Sequence, residues 1–461
     1  MLGVEDCNEG NTNRLDSESY AVEIRNVYML VLLIIKLKKI IYSGENIGND
    51  LSFQFDVKDQ VTHIKTKISF GQHTSFNKVL FQGTFAEGSV SLPISVDITE
   101  EDPVFHDTGS GSSSFNVQLQ ESEPQTHSLN ANVIASGGDK RKTATFTFMM
   151  EADVHVIKVE LKDGNIIVNE DDLVYISATP ARPQLKAKLK PDALDGNVDW
   201  KLAVEFKRPN RNDEDTLTKT VAANSEWNIA QNFGTHFYGG KATITATYQG
   251  IECNRVFHIR GTNPSENIAE TEIGNNPFYA KAIARHESGT QNNRTYLQFN
   301  EVGSLGPDYL TNLKQTPNRS WDNNGWGIYQ LTKPVPSQDQ VWSWKANVAG
   351  GKTLMNSNLA EAPAYFQAIQ RKYPNQYEPP PATYAPPGTT TALTYIQTAA
   401  IQMFNGSSVV KELPNPTPPG GDSDYRSCWK FYPNNPSGQR WEFVPNQNDY
   451  VKKIVEEYEN P

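Results

Sequence analysis

A chain of 461 residues is too long for one hydrophobic core and is expected to hold about two to four domains. Hydrophobic residues at 37% and charged residues at 21% fit a globular protein, and a formal net charge of −11 excludes the basic stripe of a nucleic-acid binder. The acid excess lies early: from Pro264 onward 16 Lys and Arg face 18 Asp and Glu, so the later part can approach an anionic polymer without strong repulsion.

The first feature in chain order is Val27 to Ile35 (VYMLVLLII), an apolar run followed by Lys36, Lys38 and Lys39. It is too short to span a bilayer, and its acidic upstream flank has the wrong sign for a secretory signal. A buried strand is expected there, with no stable membrane span and no recognisable export signal. Leu51, Phe53, Phe55 and Val57 alternate with polar residues, as do Ala144, Phe146 and Phe148, which is the period of half-buried strands. Asp163-Gly164 divides VIKVELKDGNIIV as a hairpin turn divides two strands. Further strands are expected around Trp200–Phe206 and Ala242–Tyr248, and turns roughly every ten residues suit antiparallel sandwiches. The segment GGKATITATYQGIECNRVFHIRG resembles bacterial immunoglobulin-like modules. Three cysteines, Cys7, Cys253 and Cys428, allow at most one disulfide and match no metal-site spacing. The expected organisation is an N-terminal arm (1–44), a β-sandwich (45–175), an Ig-like β-sandwich (176–262) and a mainly α C-terminal domain (263–461). Six of the eight tryptophans fall in that last part, together with proline-rich loops at Pro374 to Gly388 and Pro414 to Gly421.

Candidate chemistry begins at NNPFYAKAIARHESG. Asn276 suits an N-cap, Pro277 a first helical position and Gly289 a C′ residue. Glu287 would then lie in the last turn, where the helix dipole and burial both disfavour a carboxylate. A glycosidase acid needs such a raised pKa to hold its proton near neutrality. His286 is expected to pack rather than to catalyse. Asn323 to Thr332 (NNGWGIYQLT) reads as a glycine-rich turn that lets a sugar approach the backbone, with Gln330 able to hydrogen-bond its hydroxyl or N-acetyl groups. A helix ending at Phe404-Asn405-Gly406 and a terminal amphipathic helix carrying Tyr450, Ile454 and Tyr458 follow. Trp326 is the first candidate to stack on a sugar face. No metal cluster, phosphate loop or nucleophile elbow is present, and no cofactor is expected.

In their order, Glu287-Ser288, Gly327-Ile-Tyr-Gln330-Leu331, Asn347-x-x-x-Gly351, Phe404-Asn405-Gly406 and Tyr450 to Ile454 resemble the soluble lytic transglycosylase and goose-type lysozyme superfamily. The resemblance covers about residues 270–461. It implies a lysozyme-like fold, cleavage of peptidoglycan between N-acetylmuramic acid and N-acetylglucosamine, and Glu287 as acid and then base. Gln330, Tyr329, Trp326 and Asn405 would bind substrate. Tyr450 would orient Glu287, and Ser288 would hold the acid side of the site. The 43 residues from Glu287 to Gln330 are about twice the family's spacing, which implies an insertion at 292–319, and Tyr329 replaces the usual methionine. Asp322 matches imperfectly a water-activating aspartate of goose-type lysozymes, and Thr332 stands where a second is usual. That favours transglycosylation over a two-carboxylate hydrolysis. A hydrolytic lysozyme, an inactive glycan-binding module and a chitinolytic enzyme stay open. The implied partners are peptidoglycan strands and, through the β domains, a secretion or injection apparatus or phage tail, with action at the cell wall or periplasm.

Overall fold

The structure is a computed structural model that describes residues 30–86, 88–102, 106–136, 141–208, 211–291, 293–301, 316–319, 325–406, 410–412, 429–444 and 449–461. The chain divides into two compact units between Val156 and Ile157.

The first unit is one antiparallel sheet of eight strands: β1 (Leu30–Gly44), β2 (Asp50–Val57), β3 (Gln60–Lys67), β4 (His73–Ala86), β5 (Gly88–Glu101), β6 (His106–Leu119), β7 (Gln125–Ile134) and β8 (Thr143–Val156). Their spatial order is β3-β2-β5-β6-β7-β8-β1-β4. The sheet curls until β4 comes against β2 and β3, and the Gln60 side-chain amide brackets the backbone of Gln82 at 2.9 and 3.0 Å. Such closure shields edges that would otherwise pair with other chains. Alternation drives this fold. Phe53 and Phe55 of β2 and Phe146 and Phe148 of β8 are fully buried, and their rings meet 5.2–5.7 Å apart. Burying each contributes on the order of 2–3 kcal/mol. The expected arm at 1–44 is corrected here: β1 lies between β8 and β4, with Leu30 to Ile35 all buried. A run without alternation is what a strand buried on both faces requires. The expected boundary at 175 is corrected to 156, because the next strands pair within the second unit.

That unit opens with β9 (Lys158–Asp163), β10 (Ile166–Val168), β11 (Leu173–Ile176), β12 (Leu185–Lys190), β13 (Asn197–Arg208), β14 (Arg211–Ala222), β15 (Trp227–Asn228), a short helix α1 (Ile229–Asn232), β16 (Gly240–Tyr248) and β17 (Ile251–Gly261). The sheet β10-β9-β12-β15 and the sheet β11-β17-β16-β13-β14 share a core in which Trp200 of one lies 6.1 Å from Trp227 of the other. Asp163-Gly164 makes the expected hairpin, with Gly164 at φ 59°.

The remainder holds α2 (Glu266–Ile273), α3 (Ala280–Ser288), α4 (Gln338–Trp342), α5 (Trp344–Lys372), β18 (Thr383–Tyr384), β19 (Leu393–Thr394), α6 (Tyr395–Phe404), β20 (Val410–Glu412), β21 (Trp429–Phe431), β22 (Trp441–Phe443) and α7 (Tyr450–Glu459). The expected mainly α C-terminal domain is therefore corrected. Among the described residues strand (~48%) exceeds helix (20%) more than twofold, and from Asn263 on helices account for 71 of the 156 described residues. Among the described residues the helices alternate with proline-rich connections, such as 374–388, and with two small sheets. None of the described helices is long and apolar enough to cross a membrane.

The helical part is not a free-standing lobe, because it shares a core with the sandwich. Phe206 of β13 packs on Trp342 (5.0 Å) and Trp326 (5.7 Å), and Trp344 donates to the Ala178 carbonyl at 2.8 Å. A Cβ on Gly239 would lie 2.3 Å from the Trp342 ring, so only glycine admits this approach. The Arg208 guanidinium is buried, pairs with Asp213 (2.6 and 2.9 Å) and donates to the Pro336 carbonyl at 2.9 Å.

Candidate active site

A cleft of about 780 Å³ opens in the helical part, bounded by the end of α3, the 325–333 turn, the end of α6 and the start of α7. Its lining unites Glu287, Ser288, Gln330, Asn405 and Tyr450, residues up to 163 positions apart in the chain.

Helix α3 begins at Ala280, later than the Asn276 cap expected; the Asn276–Pro277 bond is cis and Tyr279 takes the cap position. Its last turn falls where expected. Gly289 ends it at φ 66° and donates to the Arg285 carbonyl, so Glu287 projects from the final turn. Arg285 fixes this end by donating to the Glu457 carbonyl of α7 and to the Tyr296 hydroxyl, each at 3.0 Å. Burial pushes the Glu287 carboxyl up to about 7, against the lowering effect of a hydrogen bond that Tyr450 Oη donates to Oε1 at 2.5 Å. The Tyr450 hydroxyl is itself held far above its ordinary range, first by burial and then by Glu287. It is a donor at any working pH. His286 packs edge-on against the Tyr450 ring at 5.4 Å, and burial lowers its pKa, as does Lys453.

The Gln330 turn is built from behind. Asn347 of α5 is fully buried; its Nδ2 donates to the Trp326 and Gln340 carbonyls (2.9 and 3.0 Å), and its Oδ1 accepts from the Tyr329 amide (3.0 Å). Gln298, also fully buried, donates to the Val341 carbonyl and accepts from the Ile328 amide. Asn318 ties the turn to the helix end, donating to the Ser288 carbonyl at 3.0 Å while its own carbonyl accepts from Gly327. Gly327 sits at φ 75°, with Asn347 and Gln298 too close for any Cβ. Gln330 follows at φ 44°, which brings its side chain back over the turn: Nε2 donates to the Gly327 carbonyl at 2.8 Å. Gln330 lines the cleft, and among the described residues nothing donates to its buried Oε1.

Two expected substrate contacts are corrected. Trp326 is 3% exposed, packs on Phe206 and does not line the cleft. Tyr329 is fully buried; its hydroxyl donates to the Ala280 carbonyl at 3.1 Å, and its ring lies on Gly351, where a Cβ would come within 2.3 Å. Both are apolar faces of the turn pulled into the core, and the spacing Asn347-x-x-x-Gly351 is the helical surface that receives them. Asp322 lies outside the described residues. Ser288 lines the cleft and bonds locally, to the Arg285 and Gly289 carbonyls at 3.4 Å. Asn405, exposed, caps α6. The described ends of the 292–319 insertion supply Gln298 and Asn318 to the scaffold, and Arg319 to the cleft wall. Sequence reasoning missed Gln298, Asn318 and the cations Arg319, Lys333 and Lys453. Buried Gln and Asn among apolar neighbours were the one available signal. Among the described residues no group of three His, Cys, Asp or Glu could hold a metal ion.

No protein-family model matches the chain, and no curated protein matches it. Solved structures similar to it include the paired C2 domains of Extended-Synaptotagmin 2, at 11% identity over 55% of this chain and 84% of that one, with a TM-score of 0.20. Human GIVD cytosolic phospholipase A2 in complex with methyl gamma-linolenyl fluorophosphonate matches at 8% identity over 50% of this chain and 29% of that one, with a TM-score of 0.17. Likenesses this slight assign the chain to no family.

Proposed function

We propose that this cleft cleaves the β-1,4 bond between N-acetylmuramic acid and N-acetylglucosamine in peptidoglycan, as a lytic transglycosylase with Glu287 as its acid. The observation that carries this reading is the Glu287 carboxyl, lifted by burial to about 7 and held at 2.5 Å by Tyr450 in a cleft that also presents Gln330 and Asn405. A carboxyl that keeps its proton near neutrality can deliver it to the glycosidic oxygen as the C1–O bond breaks. The resulting carboxylate, stabilised by the Tyr450 O–H, then takes the proton of the muramic C6 hydroxyl as that oxygen closes on C1. Protons balance, a 1,6-anhydro end forms, and one carboxyl suffices. Thr332 stands where a second carboxylate is usual in goose-type lysozymes, which favours this course over a two-carboxylate hydrolysis. The same reading gives the β-rich parts a docking role toward a delivery apparatus and sets the site of action at the cell wall.

The test is digestion of purified peptidoglycan by the full chain and by Glu287→Gln, read by mass spectrometry. Muropeptides one water lighter than hydrolytic products, absent with the variant, support the transglycosylase. Hydrated reducing ends make the protein a lysozyme. No release by either protein ends the enzymatic reading and leaves a glycan-binding module.

A further inference from the structure

The cleft carries three cations, Arg319, Lys333 and Lys453, that take no part in the bond-breaking step. They come from separate segments. Arg319 is bridged to Trp326, Lys333 follows Leu331, and Lys453 lies one turn beyond Tyr450 on α7. Lys333 and Lys453 are exposed and, among the described residues, neither pairs with a carboxylate, whereas neighbouring Lys452 reaches Glu456 at 3.6 Å. Such a rim is not a background excess, because the chain as a whole carries −11. Focused positive charge at a cleft mouth raises the local concentration of anionic ligands.

We propose that Arg319, Lys333 and Lys453 make the cleft selective for amino-sugar strands that bear carboxylates over neutral strands of the same backbone. This rests on the cleavage reading and adds to it the class of strand that is taken. The carboxylate has two sources, the lactyl ether of the muramic ring or the peptide stem attached to it. A water-exposed cation meeting a carboxylate contributes about two- to fivefold in affinity, so Lys333 and Lys453 together give roughly four- to twentyfold, with half-buried Arg319 adding its charge from the cleft wall.

The experiment measures binding of the full-length Glu287→Gln protein to three probes: chitin oligomers, strands stripped of peptide by an amidase, and strands that keep their stems. Carboxylate-bearing strands are expected to bind about tenfold or more tightly than chitin oligomers at low salt, with the preference shrinking as salt rises. Adding Lys333→Gln and Lys453→Gln is expected to reduce that preference about fourfold or more. Tighter binding of stripped strands, in which the amidase has freed the lactyl carboxyl, assigns the contact to that group; tighter binding of stem-bearing strands, in which that carboxyl is an amide, assigns it to the peptide. Equal binding of chitin oligomers, or a preference untouched by the lysine substitutions, overturns the proposal. If the wild type cuts peptidoglycan while the probes bind alike, only the cationic selection fails. If carboxylate-dependent binding persists while the wild type cuts nothing, only the cleavage reading fails.

Discussion

Replacing Arg208 by methionine asks whether the sandwich and the helical part are one folding unit. The Arg208 and Asp213 side chains are 3% and 0% exposed, and the guanidinium also serves the Pro336 carbonyl across 128 residues of chain. Removing one partner of a buried pair costs about 3–5 kcal/mol, because the remaining charge is left desolvated. Here Arg211, 54% exposed, already approaches Asp213 at 2.7 Å and can take over part of its charge, which places the cost at about 3 kcal/mol. Removing both charges, in Arg208→Met/Asp213→Leu, should recover most of that, to within about 1 kcal/mol of wild type. The assay is urea unfolding followed by tryptophan fluorescence. All eight tryptophans lie after residue 156, so the signal reports the second unit alone. With an m-value of about 3 kcal/mol/M, the midpoint should fall by about 1 M in a single transition. A midpoint within about 0.2 M of wild type, or a loss confined to a sandwich transition that leaves a second one unmoved, would refute the reasoning.

Three further outcomes follow from the same contacts. Tyr450→Phe removes the hydrogen bond that favours ionised Glu287; such bonds are worth about 1.5–3 kcal/mol, so the ionisation constant should fall on the order of tenfold or more. The alkaline limb of the pH–rate profile then moves to higher pH, and an unmoved limb counts against the assignment. In the first unit, burial and then Asp102, Asp107 and Asp50 raise the Glu100 carboxyl to about 7, above its unfolded value, so folding binds a proton. Its stabilising contribution is therefore full below about pH 4.5 and is lost as pH rises toward 7, by up to ~3 kcal/mol. Faster amide exchange of β5 and β6 at pH 8 than at pH 5, after correction for intrinsic rates, should vanish in Glu100→Gln. Asn347→Leu leaves the buried Tyr329 amide without its partner, while the Trp326 and Gln340 carbonyls keep Leu331 and Gln298 as donors, at about 1–3 kcal/mol. The tryptophan unfolding midpoint should drop accordingly, and an unchanged midpoint would show that Asn347 does not hold the turn.

Local patterns carried the strands and helix ends. Alternation marked Leu51 to Val57 and Ala144 to Phe148, Asp163-Gly164 made its hairpin, and Gly289 closed the helix that presents Glu287, because each depends on neighbours within a few residues. Glu287, Gln330, Asn405 and Tyr450, each singled out in the sequence, line one cleft in the structure. What sequence could not decide was which face of each segment turns inward. The backbone of the 326–331 turn is clamped by Asn347 and Gln298, and this sends Trp326 and Tyr329 into the core while Gln330 keeps the cleft. Apolar residues in a glycine-rich turn suit a sugar platform and a core equally well until the surface behind them is known. Nor could composition locate the boundary at Val156, since which strands pair in one sheet is decided by partners far apart in the chain. Residue order determined the elements and the chemistry on offer; long-range packing decided which side chains face solvent.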